Sequence, residues 1–218
     1  MSASVDRPLL RGYLHAGAAV LAAIGGVCLL VLSSGDAPRQ LSMLVYGASL
    51  TLLFAVSAAY HLRVWAPPRV AILRRLDHAN IFVLIAATYT PIAFNVLSGW
   101  SRVGILGAVW SAAVAGVGAA IVGVQMRRWI RAGLYVGLGW LALAAAGEVR
   151  AALPPPAIAL VIAGGMLYSV GALLYARKWP NPWPRIFGYH EVFHALTIVA
   201  AVAFYVLVLV YVLPAPRT

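Results

Sequence analysis

Apolar residues run along this chain in blocks too long and too continuous for the half-buried helices of a soluble protein. Seven stretches stand out: 13–33, 41–61, 76–97, 103–124, 132–147, 156–175 and 187–213. A bilayer core takes about 20 residues of helix, so each stretch predicts a membrane-spanning helix. The fifth is short and the seventh long, which predicts unequal tilts. Turn-forming residues separate them, as in Gly35-Asp36-Ala37-Pro38, Ala66-Pro67-Pro68, Pro154-Pro155-Pro156 and Pro180-Asn181-Pro182. No connection is long enough for a further domain, and no internal repeat is visible. The expected fold is all-α, a single seven-transmembrane helix bundle over residues 1–218. Arg7 and Arg11 precede the first stretch, as they would a secretory signal. That run exceeds the roughly 7–15 residues of a signal core, however, and no small-residue cleavage site follows. It is expected to be a retained helix. The glycine-rich stretch 104–123 permits close helix contacts.

Composition narrows the class. The chain is 63% apolar and 10% charged, against roughly 25% charged residues in soluble domains. A soluble enzyme is excluded, and so is a disordered chain, which needs low hydrophobicity. The formal net charge is +11, but so apolar a chain has too little polar surface for a nucleic-acid partner. Membrane lipids are the expected partners. The charge gains meaning from where it falls. Twelve of the 16 basic residues lie at the N-terminus or in the second, fourth and sixth connections; Arg39, Arg102, Arg150 and Arg217 lie on the other side. Basic residues flanking spans stay cytoplasmic. The N-terminus is therefore expected in the cytosol and the C-terminus outside, the reverse of a G-protein-coupled receptor. Cys28 is the lone cysteine, which leaves no intrachain disulfide and no cysteine metal site. Its expected role is inert packing.

Ionisable side chains within spans are costly and by default mark sites facing the bundle interior. The candidates are His15, His61, Asp77, His78, Glu148, His190, Glu191 and His194. The expected topology ends the second span on His61, opens the third with Asp77 and His78, and puts His190 and His194 early in the seventh. All of these fall in the cytoplasmic leaflet. His190 and His194 stand four apart and share a helix face, so both imidazoles can bind one ion. His61 supplies a third nitrogen, and three histidines with an open position are a common catalytic zinc arrangement. Asp77, across on the third span, is placed to hydrogen-bond a water on the metal and act as its base. Ser57 lies one turn before His61 on the same face. Its hydroxyl can orient a water or Asp77, or bond the carbonyl four residues back.

Plainer roles compete. His15 and His78, near span ends, read as interface residues. Asp77 can pair with Arg74 or Arg75, Glu148 with Arg150, and Glu191 with Arg185 or Arg177. Residues 190–194, His-Glu-Val-Phe-His, also match the H-E-x-x-H pattern, in which the glutamate is the general base of a metalloprotease. An intramembrane protease is thus a competing reading. Against it, Leu76-Asp77 is followed by His78, where such proteases carry a Leu-Asp-Gly type segment.

Three segments together carry a family resemblance. Ser57-Ala-Ala-Tyr-His61 resembles the S-x-x-x-H motif of the progestin and adipoQ receptor family, which includes the bacterial hemolysin III proteins. Arg75-Leu-Asp77-His-Ala-Asn-Ile81, running on to Ala87-Thr-Tyr-Thr-Pro91, is similar to its second motif, and His190-Glu-Val-Phe-His194 to its H-x-x-x-H motif. The set spans the core of the chain in order, and its length resembles the bacterial branch. The resemblance implies seven helices with the N-terminus inside, in agreement with the arginine distribution. It implies zinc (Zn2+) held by His61, His190 and His194, with Asp77 bonding a water on the zinc and Ser57 close by. It relates the chain to membrane hydrolases that include the alkaline ceramidases. The implied activity is zinc-dependent hydrolysis of a ceramide-like lipid amide, or an ester, in the bacterial inner (cytoplasmic) membrane. The alternative is a non-catalytic, receptor-like or membrane-homeostasis protein with structural zinc and Asp77 as a fourth ligand. Pore formation, which the branch name suggests, fits poorly, because a pore-former has to be soluble before it inserts.

Overall fold

The computed structural model describes residues 8–216; Arg7 and Arg217, both used in the arginine distribution, lie outside them. Eight α-helices follow in order: α1 Tyr13–Leu32, α2 Ala37–Leu62, α3 Pro67–Val96, α4 Gly99–Ile121, α5 Arg128–Gly139, α6 Ala146–Ala152, α7 Pro155–Arg177 and α8 Tyr189–Leu207. A 3-10 turn, Trp140–Ala145, joins α5 to α6, and a π turn, Val208–Val212, extends α8. Counting those extensions, seven helices are long and apolar enough to cross a membrane. The chain is an all-helical, multi-pass membrane protein.

Several helix ends depart from the apolar blocks, for two physical reasons. The first is proline. The third helix begins at Pro67, not at 76, and Pro67 and Pro68 form its first turn. The first N–H groups of a helix have no intrahelical partner, so proline loses nothing there and its fixed φ suits the turn. Pro38 in α2 and Pro155 in α7 serve in the same way, and Asp36 caps α2 by accepting from the Arg39 N–H at 3.2 Å. These prolines, which read as breaks, are helix starts, whereas Pro180 and Pro182 remain in the connection between α7 and α8. The second reason is charge at the ends. The fifth span is not short, since it runs Arg128–Ala152 over 25 residues. Its terminal Arg128, Arg131, Glu148 and Arg150 truncate the apolar block but not the helix, because headgroup depth tolerates them. Glu148 accepts a hydrogen bond from Ser101 and does not pair with Arg150.

The break inside that span has its own partner. The Tyr89 hydroxyl on α3 donates to the Gly139 carbonyl at 2.6 Å and accepts from the Ala142 N–H at 2.8 Å. Backbone groups freed within a membrane must be satisfied by protein, and Tyr89 does this across helices.

The bundle exposes large apolar side chains on its outside and encloses polar ones within a largely apolar interior. Leu21 on α1 is 70% exposed, whereas Ser42, Asn80, Thr88, Asn95 and Thr197 are buried. The main core joins α1, α2 and the end of α8 through Leu29, Met43, Tyr46, Leu50 and Leu207. Helices α1 and α2 meet at glycines, where a Cβ on Gly47 would stand 2.8 Å from the Gly26 Cα. In α3, the most enclosed span, Asn95 donates to the Pro91 carbonyl at 2.7 Å and to the Ser42 hydroxyl at 3.1 Å. In the stretch 104–123, Gly116 abuts Phe82, but Gly104, Gly107 and Gly118 face open space. Cys28 points outward, away from the core in which it was expected to pack.

Candidate metal centre

One end of the bundle gathers the N-terminal segment with the α2–α3, α4–α5 and α7–α8 connections. His61 sits in the last turn of α2, and His190 and His194 in the first turns of α8. Their ligand atoms lie within 4.8 Å of one another, an arrangement that can hold a metal ion. His61 Nε2 and His190 Nε2 are 3.1 Å apart. Two nitrogens bound about 2.0–2.1 Å from a tetrahedral ion stand roughly 3.3 Å apart, so the spacing of this pair suits two ligands of one ion. His194 is buried and the other two half-buried. Asp77 and Ser57 stand beside them. Ser57 is buried on α2, with its side chain next to the Asp77 carboxyl. Asp77 does not begin its helix; it lies ten residues inside α3. It forms no ion pair with Arg74 or Arg75 among the described residues, and Arg75 donates to the Ile121 carbonyl at 3.0 Å instead.

Ser57, Asp77, His190 and His194 line one cavity of about 360 Å³. Its walls are mostly apolar side chains of α3, α5, α7 and α8, and it reaches Leu97, Ile105 and Arg150 towards the opposite end. The shape is a deep apolar slot with its carboxyl and imidazole groups gathered at one end.

Glu191 is committed elsewhere. It is fully buried, ion-paired through Oε1 to Arg11, and accepts the Gly188 N–H through Oε2 at 2.8 Å. Its partner is therefore Arg11, not Arg185 or Arg177. With both oxygens engaged, it is poorly placed to act as the base of an H-E-x-x-H protease. The segment before α1 is strapped over this region: the Leu9 and Leu10 N–H groups donate to the Arg185 and Ile186 carbonyls at 3.0 and 3.2 Å. At Gly12 the backbone has φ +86°, and a Cβ would lie 3.1 Å from the His61 Cβ. Glycine meets both demands.

His78 is half-buried, with its Nε2 2.7 Å from the Arg131 guanidinium, and stands apart from the three-histidine cluster. His15 departs furthest from expectation. It is buried, 3% exposed, and stacks on His194, so it is no interface residue. The signal for it lay in the topology, since the first span starts at the same end as His190 and His194. Arg11 as the partner of Glu191 had no local signal.

Comparison with known proteins bears on this geometry. A family model described as haemolysin-III related matches residues 3–205. The chain is 30% identical over 203 residues to the hemolysin-3 homolog of Bacillus subtilis (strain 168), covering 92% of each protein. It is 30% identical over 218 residues to hemolysin-3 of Bacillus cereus, covering 98% of this chain and 95% of that one. The heptahelical transmembrane protein ADIPOR2 of Oryza sativa subsp. japonica is 29% identical over 195 residues, covering 78% of this chain and 81% of its own.

Proposed function

The chain belongs to the haemolysin-III family, and from that premise we propose that it is a zinc-dependent hydrolase of a lipid amide, ceramide-like, or of a lipid ester. The observation that carries this reading is the meeting of three imidazoles with the Asp77–Ser57 pair at one end of a deep apolar cavity. His61, His190 and His194 would hold the ion. Bound there, zinc supplies Lewis acidity toward a carbonyl and lowers the pKa of water in its coordination sphere. Asp77 takes the proton of the attacking water and returns it to the leaving amine or alkoxide. Ser57 orients the Asp77 carboxylate through its hydroxyl. The apolar walls take the acyl chain, which enters from the bilayer between helices. The family and the arginine distribution support a bacterial cytoplasmic membrane with the N-terminus and the histidine cluster on the cytosolic side.

The test is metal analysis of the purified protein beside His61→Ala and His194→Ala, followed by lipid product profiling. Wild type is expected to carry about one zinc per chain, and both variants to lose it together with turnover. Zinc content undiminished in both variants would overturn the proposal.

A further inference from the structure

We infer that His15 is a positioning residue of the three-histidine site, holding the ring of His194; this rests on the metal-site reading above. His15 lies in the first turn of α1, a helix that supplies none of the three proposed ligands. Its ring stacks on His194 with centroids 3.7 Å apart and planes 11° from parallel. Phe54 also packs against the His15 ring, edge-on, with centroids 5.0 Å apart. The His194 ring is thereby braced by an aromatic face that is itself braced. An imidazole nitrogen's lone pair lies in its ring plane, so two parallel rings aim their lone pairs along planes that do not meet. His15 and His194 therefore do not share an ion in this arrangement, and His15 acts through His194.

The burial of His15 sharpens the point. Neither ring nitrogen has a well-formed hydrogen bond among the described residues, although the backbone of His194 lies close to the ring. A buried polar group left without a partner destabilises the fold. That cost is carried at the one place where the ring can hold a proposed ligand. Ligand orientation matters to affinity, because losing an orienting contact typically costs about 10–100-fold in metal binding.

The experiment compares zinc affinity of the full-length, detergent-solubilised protein, by competition with a chromophoric chelator, in wild type, His15→Phe and His15→Leu. Both substitutions remove the unpaired nitrogens. Phenylalanine keeps an aromatic face, whereas leucine keeps bulk without one. His15→Phe is expected to stay within about threefold of wild type, and His15→Leu to weaken binding by about tenfold or more. With Co2+ as the probe ion, the visible absorption bands should change in His15→Leu and persist in His15→Phe. Wild-type affinity in His15→Leu overturns the inference, and so do equal losses in the two variants. Absence of metal binding by wild type would instead defeat the metal-site reading beneath it.

Discussion

At the scale of single residues, Asp77 separates catalysis from structure. If it moves the proton, Asp77→Asn keeps zinc and loses turnover by about 100-fold or more. If it is a fourth ligand of a structural ion, the same variant loses zinc. Metal content measured beside product formation distinguishes the two outcomes. Arg11 carries a different load. It neutralises Glu191, whose side chain is wholly enclosed while that of Arg11 is 21% exposed. Removing one partner of a buried pair leaves a stranded charge, so Arg11→Ala should cost about 3 kcal/mol. Adding Glu191→Gln to Arg11→Ala should recover part of that loss, as read by thermal unfolding in detergent.

At the scale of elements, the fifth span is the informative one. Its 3-10 turn, Trp140–Ala145, is a break whose freed groups are bonded by Tyr89. Tyr89→Phe keeps the ring and deletes the hydroxyl, leaving the Gly139 carbonyl and the Ala142 N–H without that partner. A loss of about 1–3 kcal/mol is expected, with faster amide hydrogen exchange around Ala142 than elsewhere in the span. Helices α1 and α2 have a different character, being joined mainly by close backbone approach, with the Gln40 side-chain amide donating to the Leu30 carbonyl at 3.1 Å near their connection. Gly47→Leu puts a side chain against the Gly26 backbone and should unfold or misassemble the pair. Gly104→Leu, facing open space on α4, should leave the thermal midpoint unchanged.

At the scale of the whole molecule, orientation is the property on which the site's access depends. The single cysteine, Cys28, can be replaced by serine, after which new cysteines report on each side. Ser34 lies between α1 and α2, and Gln125 between α4 and α5; both are exposed. An impermeant maleimide added to intact cells is expected to label Ser34→Cys and to spare Gln125→Cys until the membrane is opened. The converse pattern would put the histidine cluster on the outer face and reverse the topology drawn from the arginines. The cavity is also a property of the whole bundle. All eight helices contribute to its lining, α1 through His15 and α6 through Val149, so the cavity exists only once the whole bundle has assembled.

Seven spans and most of the polar cluster were legible along the chain itself. A bilayer makes apolar length a local demand, met by each helix separately, so the number of spans needs no knowledge of neighbours. The scarcity of ionisable residues made His61, Asp77, His190 and His194 stand out, and the spacing of four between the last two follows from helix geometry alone. Prolines misled locally, because the same residue ends one helix and opens another, and only the backbone shows which. The remaining features are contacts between distant positions. Arg11 meets Glu191 across 180 residues, Tyr89 finds Gly139 across 50, and His15 lies against His194. Their partners are set by how α1, α3, α5 and α8 pack, because a buried charge or freed carbonyl takes whichever group the folded bundle brings within bonding distance.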